Sequence, residues 1–183
     1  MITSAVKTLL HVLGYPAVPS QSNLVGTYRV GTAQTRIPGA TACQIHYPTL
    51  DTDVNRDDTF VPYIRPEAVQ GLADYSRQPA DLLQYLSKRR HAGLFGAKPH
   101  GSFPVVVFSH GLGGCLEMYT ELCLQVASMG YWVVALEHED GSAAYAADES
   151  TGAPIYYKRP DDSPYSRQKV VNFRRPFLFL ECI

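Results

Sequence analysis

The chain has 183 residues, 45% of them apolar, and a formal net charge of −1. That is enough apolar material for one sizeable core, and too balanced a charge to steer the chain to nucleic acid or an anionic surface. Four widely spaced cysteines, Cys43, Cys115, Cys123 and Cys182, include no Cys-x-x-Cys pair, which argues against a zinc knuckle or disulfide framework and fits a reducing, cytoplasmic compartment.

Met1–Leu13 is apolar-biased but interrupted by Lys7 and His11, without the charged start, long apolar run and small-residue cleavage site of a secretory signal. No stretch approaches the roughly 18 uninterrupted apolar residues of a spanning helix. Val25–Val30 reads as a first strand, and Ala42–Pro48 alternates as a half-buried strand does. The turn residues Ile37-Pro38-Gly39 lie between them, so an antiparallel hairpin is expected. Thr49–Pro66 is polar and carries Asp51, Asp53, Asp57 and Asp58. It lacks the glycine and closing glutamate of a calcium loop and reads as a solvated loop.

Two helices are expected at Pro66–Tyr75 and Pro79–Arg90, each opening on a proline. In the second, Leu82, Leu83 and Leu86 form an apolar stripe with Tyr85 at its margin, and the basic cluster Lys88–Arg90 reads as a solvated face. After a loop at Gly93–Gly101, Phe103-Pro104-Val105-Val106-Val107-Phe108-Ser109 reads as a buried strand that breaks into His110-Gly111-Leu112-Gly113-Gly114. A helix over Cys115–Met129, closed by Gly130, and a strand over Tyr131–Leu136 complete a βαβ unit with a parallel, right-handed crossover.

Glu137-His138-Glu139-Asp140-Gly141-Ser142 then forms a charged strand exit, where open α/β sheets place ligands. Ala143–Asp162 reads as a loop, and Ser163–Arg175 as a polar segment that begins a helix before Pro176 interrupts it. The apolar run Phe177–Ile183 ends the chain. The organisation is one partial domain: a segment at 1–20, a core at 21–142, and a loop and irregular tail at 143–183.

The most informative stretch is the strand ending in glycines. A strand end with converging amides before a helix start suits an anion, including the oxyanion of acyl transfer. That chemistry needs a nucleophile, usually in Gly-x-Ser-x-Gly at a strand-to-helix elbow. No serine fits. Ser128 lies in Val126-Ala127-Ser128-Met129-Gly130, with valine for the first glycine, and Ser102, Ser142 and Ser150 each miss the pattern. A Ser109–His110 dyad is disfavoured because strand neighbours point to opposite faces. His110 is better read as orienting the turn, His138 and Glu137–Asp140 as a polar rim, and Cys115 as a packing residue. No His or Cys spacing supports zinc.

Phe103–Gly113, Ala127–Gly130 and Glu137–Ala143 together resemble the platelet-activating-factor acetylhydrolases, α/β-hydrolases that cleave short or oxidised sn-2 acyl groups from phospholipids. The resemblance covers most of residues 20–145. It implies an incomplete α/β-hydrolase fold: N-terminal antiparallel strands joined to one βαβ unit of a mostly parallel sheet. It also implies a serine acyl-enzyme route with no metal or organic cofactor, a phospholipid or other small ester as substrate, and peripheral contact with a lipid surface. Leu112 matches the family residue whose backbone N–H is one oxyanion donor, with Gly111 and Gly113 shaping the turn. His110, His138 and Asp140 fall on the pocket rim. The serine, aspartate and histidine of the family triad have no match, so the chain as given is expected to be inactive. Glu139 stands where the family commonly has arginine. Two other readings remain: a non-catalytic truncated product that binds lipid or a hydrolase partner, or self-associates, through an exposed sheet edge, and an esterase of cutinase-like or dienelactone-hydrolase-like type.

Overall fold

A computed structural model describes residues 23–38, 41–52, 62–87 and 91–159. The expectations for residues 1–20, for Gly39, Asp53, Asp57, Asp58, Lys88–Arg90 and Cys182, for the side chains of Tyr85 and Leu86, and for the tail beyond 159 lie outside the described residues.

Strand β1 (Arg29–Arg36) pairs antiparallel with β2 (Ala42–Thr49), from Arg29 opposite Thr49 to Arg36 opposite Ala42. This is the expected hairpin, with a later start. The Val25, Gly26 and Tyr28 amides do not pair in a sheet. They bond Gln125 Oε1, Ser128 Oγ and Ser128 O, at 2.9–3.0 Å, at the end of a helix.

Helix α1 (Pro66–Ser76) opens on its proline as expected and buries Ala68, Val69, Leu72 and Ala73. Helix α2 (Ala80–Ser87) follows, with Leu83 fully buried and Leu82 half-buried. A two-residue strand, β3 (Leu94–Phe95), interrupts what reads as loop and pairs parallel with β1. Strand β4 (Val105–Ser109) pairs parallel with β5 (Trp132–Leu136) across helix α3 (Thr120–Ser128), so the βαβ unit stands.

The five strands run β3-β1-β2-β5-β4, and β2 meets β5 antiparallel. Central β2 is buried on both faces, whereas β4 is the edge strand among the described residues. A mixed sheet with helices packed on it is an α/β fold. Helix α3 covers β1, β2 and β5, with Leu124, Ala127 and Cys123 closing on Val30, Val133 and Ala135. A second apolar cluster joins α1 and α2 to Cys115 and to Tyr145 of β6 (Tyr145–Ala147). Strand β6 pairs antiparallel with β7 (Pro154–Tyr156), a hairpin where the sequence reads as loop.

Helix α3 begins five residues later than its apolar spacing suggests. Residues 115–119 form successive tight turns, with Met118 N–H donating to Cys115 O and Thr120 N–H to Glu117 O. The Leu116 N–H faces a Glu137 carboxylate oxygen at 3.3 Å instead of a cap. Helix α3 therefore does not start at the glycine turn, and any anion-binding character it would have lent there rests on individual amides.

Candidate active site

Strands β4 and β5 end level, because Ser109 is registered against Leu136. His110–Gly114 and Glu137–Ser142 therefore leave the sheet side by side, at the carboxyl ends of a parallel pair. Two bonds join these exits: Gly113 N–H to Ser142 O at 2.8 Å and Ala144 N–H to Gly114 O at 2.7 Å.

Within the turn, Gly113 adopts φ +71, and a Cβ there would fall on the Tyr75 ring. Gly114 has His110 Nδ1 2.9 Å from where its Cβ would be. These two positions need glycine. Gly111, expected to shape the turn, lacks positive φ and is exposed, with no atom closer than 4.0 Å to a Cβ placed there. Neither its backbone angle nor its packing requires glycine, although its carbonyl closes the turn. Gly114 N–H donates to Gly111 O at 3.0 Å, and Gly113 N–H is also bonded. Among the described residues, the Gly111 and Leu112 N–H groups have no recorded acceptor.

Glu137, read from sequence as rim, is instead the buried hub of the site. One carboxylate oxygen faces His110 Nε2 at 3.1 Å and accepts from His138 N–H at 3.3 Å. The other accepts from Arg65 and faces Leu116 N–H. Arg65 also meets Glu117 Oε1 at 3.1 Å through Nε, and its guanidinium lies 4.9 Å over the Tyr145 ring. At that distance the Arg65–Glu117 contact is an ion pair without hydrogen-bond alignment, since both atoms lack a hydrogen-bond partner. Two buried carboxylates thus share one guanidinium. Burial pushes Glu117 up to about 7, Arg65 opposing and the Glu137 charge adding to it.

His110 is buried, its Nδ1 2.9 Å from Gly111 O, which ties the ring to the turn and to Glu137 together. It packs against His138 with ring centroids 4.0 Å apart. His138 is half-buried and sits between two hydroxyls, Ser109 Oγ at 2.7 Å from Nε2 and Ser142 Oγ at 3.1 Å from Nδ1. Burial, with His110 beside it, holds His138 below the usual histidine range. Asp140 is exposed and accepts from Ser142 N–H at 2.9 Å rather than from either imidazole. So Ser109 does not pair with its neighbour His110, but with His138 across the strand ends. Nothing in the spacing signals that pair, because it depends on the register of two strands. Cys115 is fully buried and its thiol is raised well above its ordinary value by burial, consistent with packing.

The sequence profile of platelet-activating factor acetylhydrolase, isoform II, matches residues 18–162. The chain belongs to that family. The acetylhydrolase of Gallus gallus is 25% identical over 147 residues, covering 74% of this chain and 32% of that protein. The Cavia porcellus acetylhydrolase is 30% identical over 129 residues, 63% of this chain and 29% of its own. A Schizosaccharomyces pombe protein, named as a candidate phospholipase A2, is 34% identical over 131 residues, 69% of this chain and 28% of its own. The chain spans less than a third of the length of these relatives. A ferulic acid esterase from Streptomyces cinnamoneus shares the fold, with TM-score 0.58 and 21% identity, over 86% of this chain and 48% of the esterase.

Against the acetylhydrolase pattern, Glu139 has a local partner. Arg36 donates to both its carboxylate oxygens, at 2.7 and 3.1 Å, and Thr41 Oγ1 and Ala42 N–H donate to it as well. The Glu139 charge is met by Arg36 at the end of β1, two strands across the sheet from β5.

Proposed function

We propose that this chain forms the oxyanion-binding part of a phospholipid ester hydrolase acting on short or oxidised sn-2 acyl groups, and that alone it does not turn over ester. In such a reaction a serine alkoxide attacks the ester carbonyl and an electron pair moves onto the carbonyl oxygen. Amide donors hold that oxyanion, and its collapse expels the lysophospholipid oxygen, which takes up a proton. What supports the reading is that the Gly111 and Leu112 N–H groups have no acceptor among the described residues, beside two glycine amides that are bonded. Leu112 N–H is the assigned donor, while His110 and Glu137 position the turn. Family membership supports the substrate class.

The contact of Ser109 with His138 favours a second reading, a local dyad. It is the weaker one. The far ring nitrogen of His138 meets a hydroxyl, not a carboxylate, and loss of the carboxylate from a triad costs about 10⁴ in turnover. Losing serine or histidine costs about a millionfold, roughly 8 kcal/mol of barrier. One oxyanion donor supplies only about 3–4 kcal/mol. The preserved part cannot compensate.

The test is to treat the purified chain with a fluorophosphonate and assay a short-acyl phosphatidylcholine in parallel. No labelled serine and no turnover are expected. Labelling and turnover that both vanish in Ser109→Ala would overturn the proposal in favour of the dyad.

A further inference from the structure

The His110 side chain is 2% exposed, and each of its ring nitrogens lies against an oxygen. Nδ1 is 2.9 Å from Gly111 O, and Nε2 is 3.1 Å from Glu137 Oε1. A peptide carbonyl and a carboxylate only accept, so each nitrogen must bring a hydrogen. A neutral imidazole carries one such hydrogen, and the imidazolium carries two. An un-ionised Glu137 would supply the second, but its oxygens already meet Arg65, Leu116 N–H and His138 N–H. Three further donors on one group describe a carboxylate rather than an acid.

The surrounding charges agree. Two carboxylates, Glu117 and Glu137, share the one Arg65 guanidinium, which leaves this buried cluster one positive charge short. Glu117, pushed up to about 7 by burial, is the competing seat for that proton. Among the described residues, though, neither of its oxygens has a hydrogen-bond partner. His138 stacks 4.0 Å away on the β5 exit, and two imidazoles that close do not both charge readily. His138 is the neutral member. Its nitrogens meet two hydroxyls, and it is held below the usual histidine range by burial first and by His110 second. Asp140 beyond it accepts from Ser142 N–H, burial keeps the Cys115 thiol neutral, and Tyr75 of α1 meets the turn at Gly113.

Gly111 O belongs to the same peptide unit as Leu112 N–H, so what binds the oxygen acts on the donor. Resonance couples the two ends of that unit. Density drawn onto the oxygen leaves the N–H more positive, and hydrogen bonds linked in this way strengthen one another. Gly111 O takes two donors, Gly114 N–H at 3.0 Å and His110 Nδ1. We infer that His110 is held as an imidazolium and polarises the Gly111–Leu112 peptide, which makes Leu112 N–H a stronger anion donor than Gly111 N–H. His110 is thus a positioning residue that acts through a peptide group. Its bearing on ester chemistry rests on the proposed function, but its protonation does not.

The test uses the chain labelled with ¹⁵N in its backbone and histidine rings, followed across a pH series. At pH 7 both His110 nitrogens should carry hydrogen, while His46, His91 and His138 each keep one bare nitrogen. As pH rises and His110 loses its proton, the Leu112 amide should move upfield with the same midpoint. The Gly113 amide, bonded to Ser142 O, should stay nearly still. Glu117→Gln removes the other group that titrates near 7, and the coupling should persist in it. Glu137→Gln should leave His110 with one hydrogen at pH 7, and unchanged His46 and His91 signals would show that this variant is folded. Should it not fold, the parent series decides alone. A bare His110 nitrogen at pH 7, or a Leu112 amide that ignores the His110 titration, would overturn the inference. An imidazolium that persists in folded Glu137→Gln would do the same. Methylphosphonate separates the two claims. Saturable anion shifts beside a neutral His110 strike this inference alone, and a coupled Leu112 amide that meets no anion strikes the proposed function alone.

Discussion

At the residue scale, the glycine turn yields a contrast between neighbours that the motif alone does not. Gly113→Ala forces a side chain into φ +71 and onto Tyr75, and should cost about 1–3 kcal/mol. Gly111→Ala meets open space and should lie within about 0.5 kcal/mol of the parent. Urea midpoints at constant m-value check both, and equal losses would refute the assignment of turn strain to Gly113. The turn itself was legible because glycine punctuates a β-branched run. Which glycines carry the strain was not, since that depends on Tyr75, an α1 residue nearly forty positions away.

Buried ionisable residues set the pH dependence. His46 lies between Thr32 Oγ1, 3.0 Å from Nδ1, and the Gln44 side-chain amide, 3.2 Å from Nε2. Burial lowers it to about 3 and lowers His91 to about 4. Both are neutral when folded, so the stability they allow is complete above about 6.5 and is lost as pH falls toward 3–4. Between pH 7 and 5 the pair should cost roughly 4 kcal/mol. Glu117, raised to about 7, has the opposite sign: its cost is absent below about 4.5 and grows as pH rises through 7. Acidification therefore relieves Glu117 by roughly 2 kcal/mol over the same window, a partial offset. Glu117→Gln should make the fall in urea midpoint from pH 7 to pH 5 steeper, and an unchanged or shallower fall would count against this ledger.

At the scale of elements, the hairpin, the two proline-led helices and the βαβ unit follow from apolar periodicity and turn residues. The errors share a cause, tertiary partners that override local pattern. Cys115–Tyr119 has helical spacing, yet Glu137 takes the Leu116 amide and Ala144 N–H, just before β6, takes Gly114 O, which pulls the segment into tight turns. Strands β3, β6 and β7 are two or three residues long, too short to show alternation. Strand β4 is the edge among the described residues, and its β-branched, low-charge sequence is a template for pairing. Sedimentation should show association rising with concentration, and Val105→Lys, at a position 38% exposed, should reduce it. A parent chain that stays monomeric across the micromolar range would remove this edge as a contact surface.

At the scale of the whole molecule, the chain places an amide turn and a carboxylate–guanidinium–imidazole network together where two parallel strands leave the sheet. The carboxylates and histidines that make these features were all visible in sequence, but their grouping was not. Ser109 meets His138 through strand register, and Arg65 reaches Glu117 and Glu137 from the residue before α1. The proposed reaction class rests on family membership, and the roles proposed within it rest on local geometry.

The most direct measurement is a ¹⁵N-resolved titration of the chain with methylphosphonate, an anion shaped like the tetrahedral intermediate. Saturable downfield shifts of the Leu112 and Gly111 amides are expected, with the already bonded Gly113 and Gly114 amides nearly still. Shifts led by Gly113 and Gly114, or no saturable shift anywhere in residues 110–114, would mean that this strand exit was not built to hold an oxyanion.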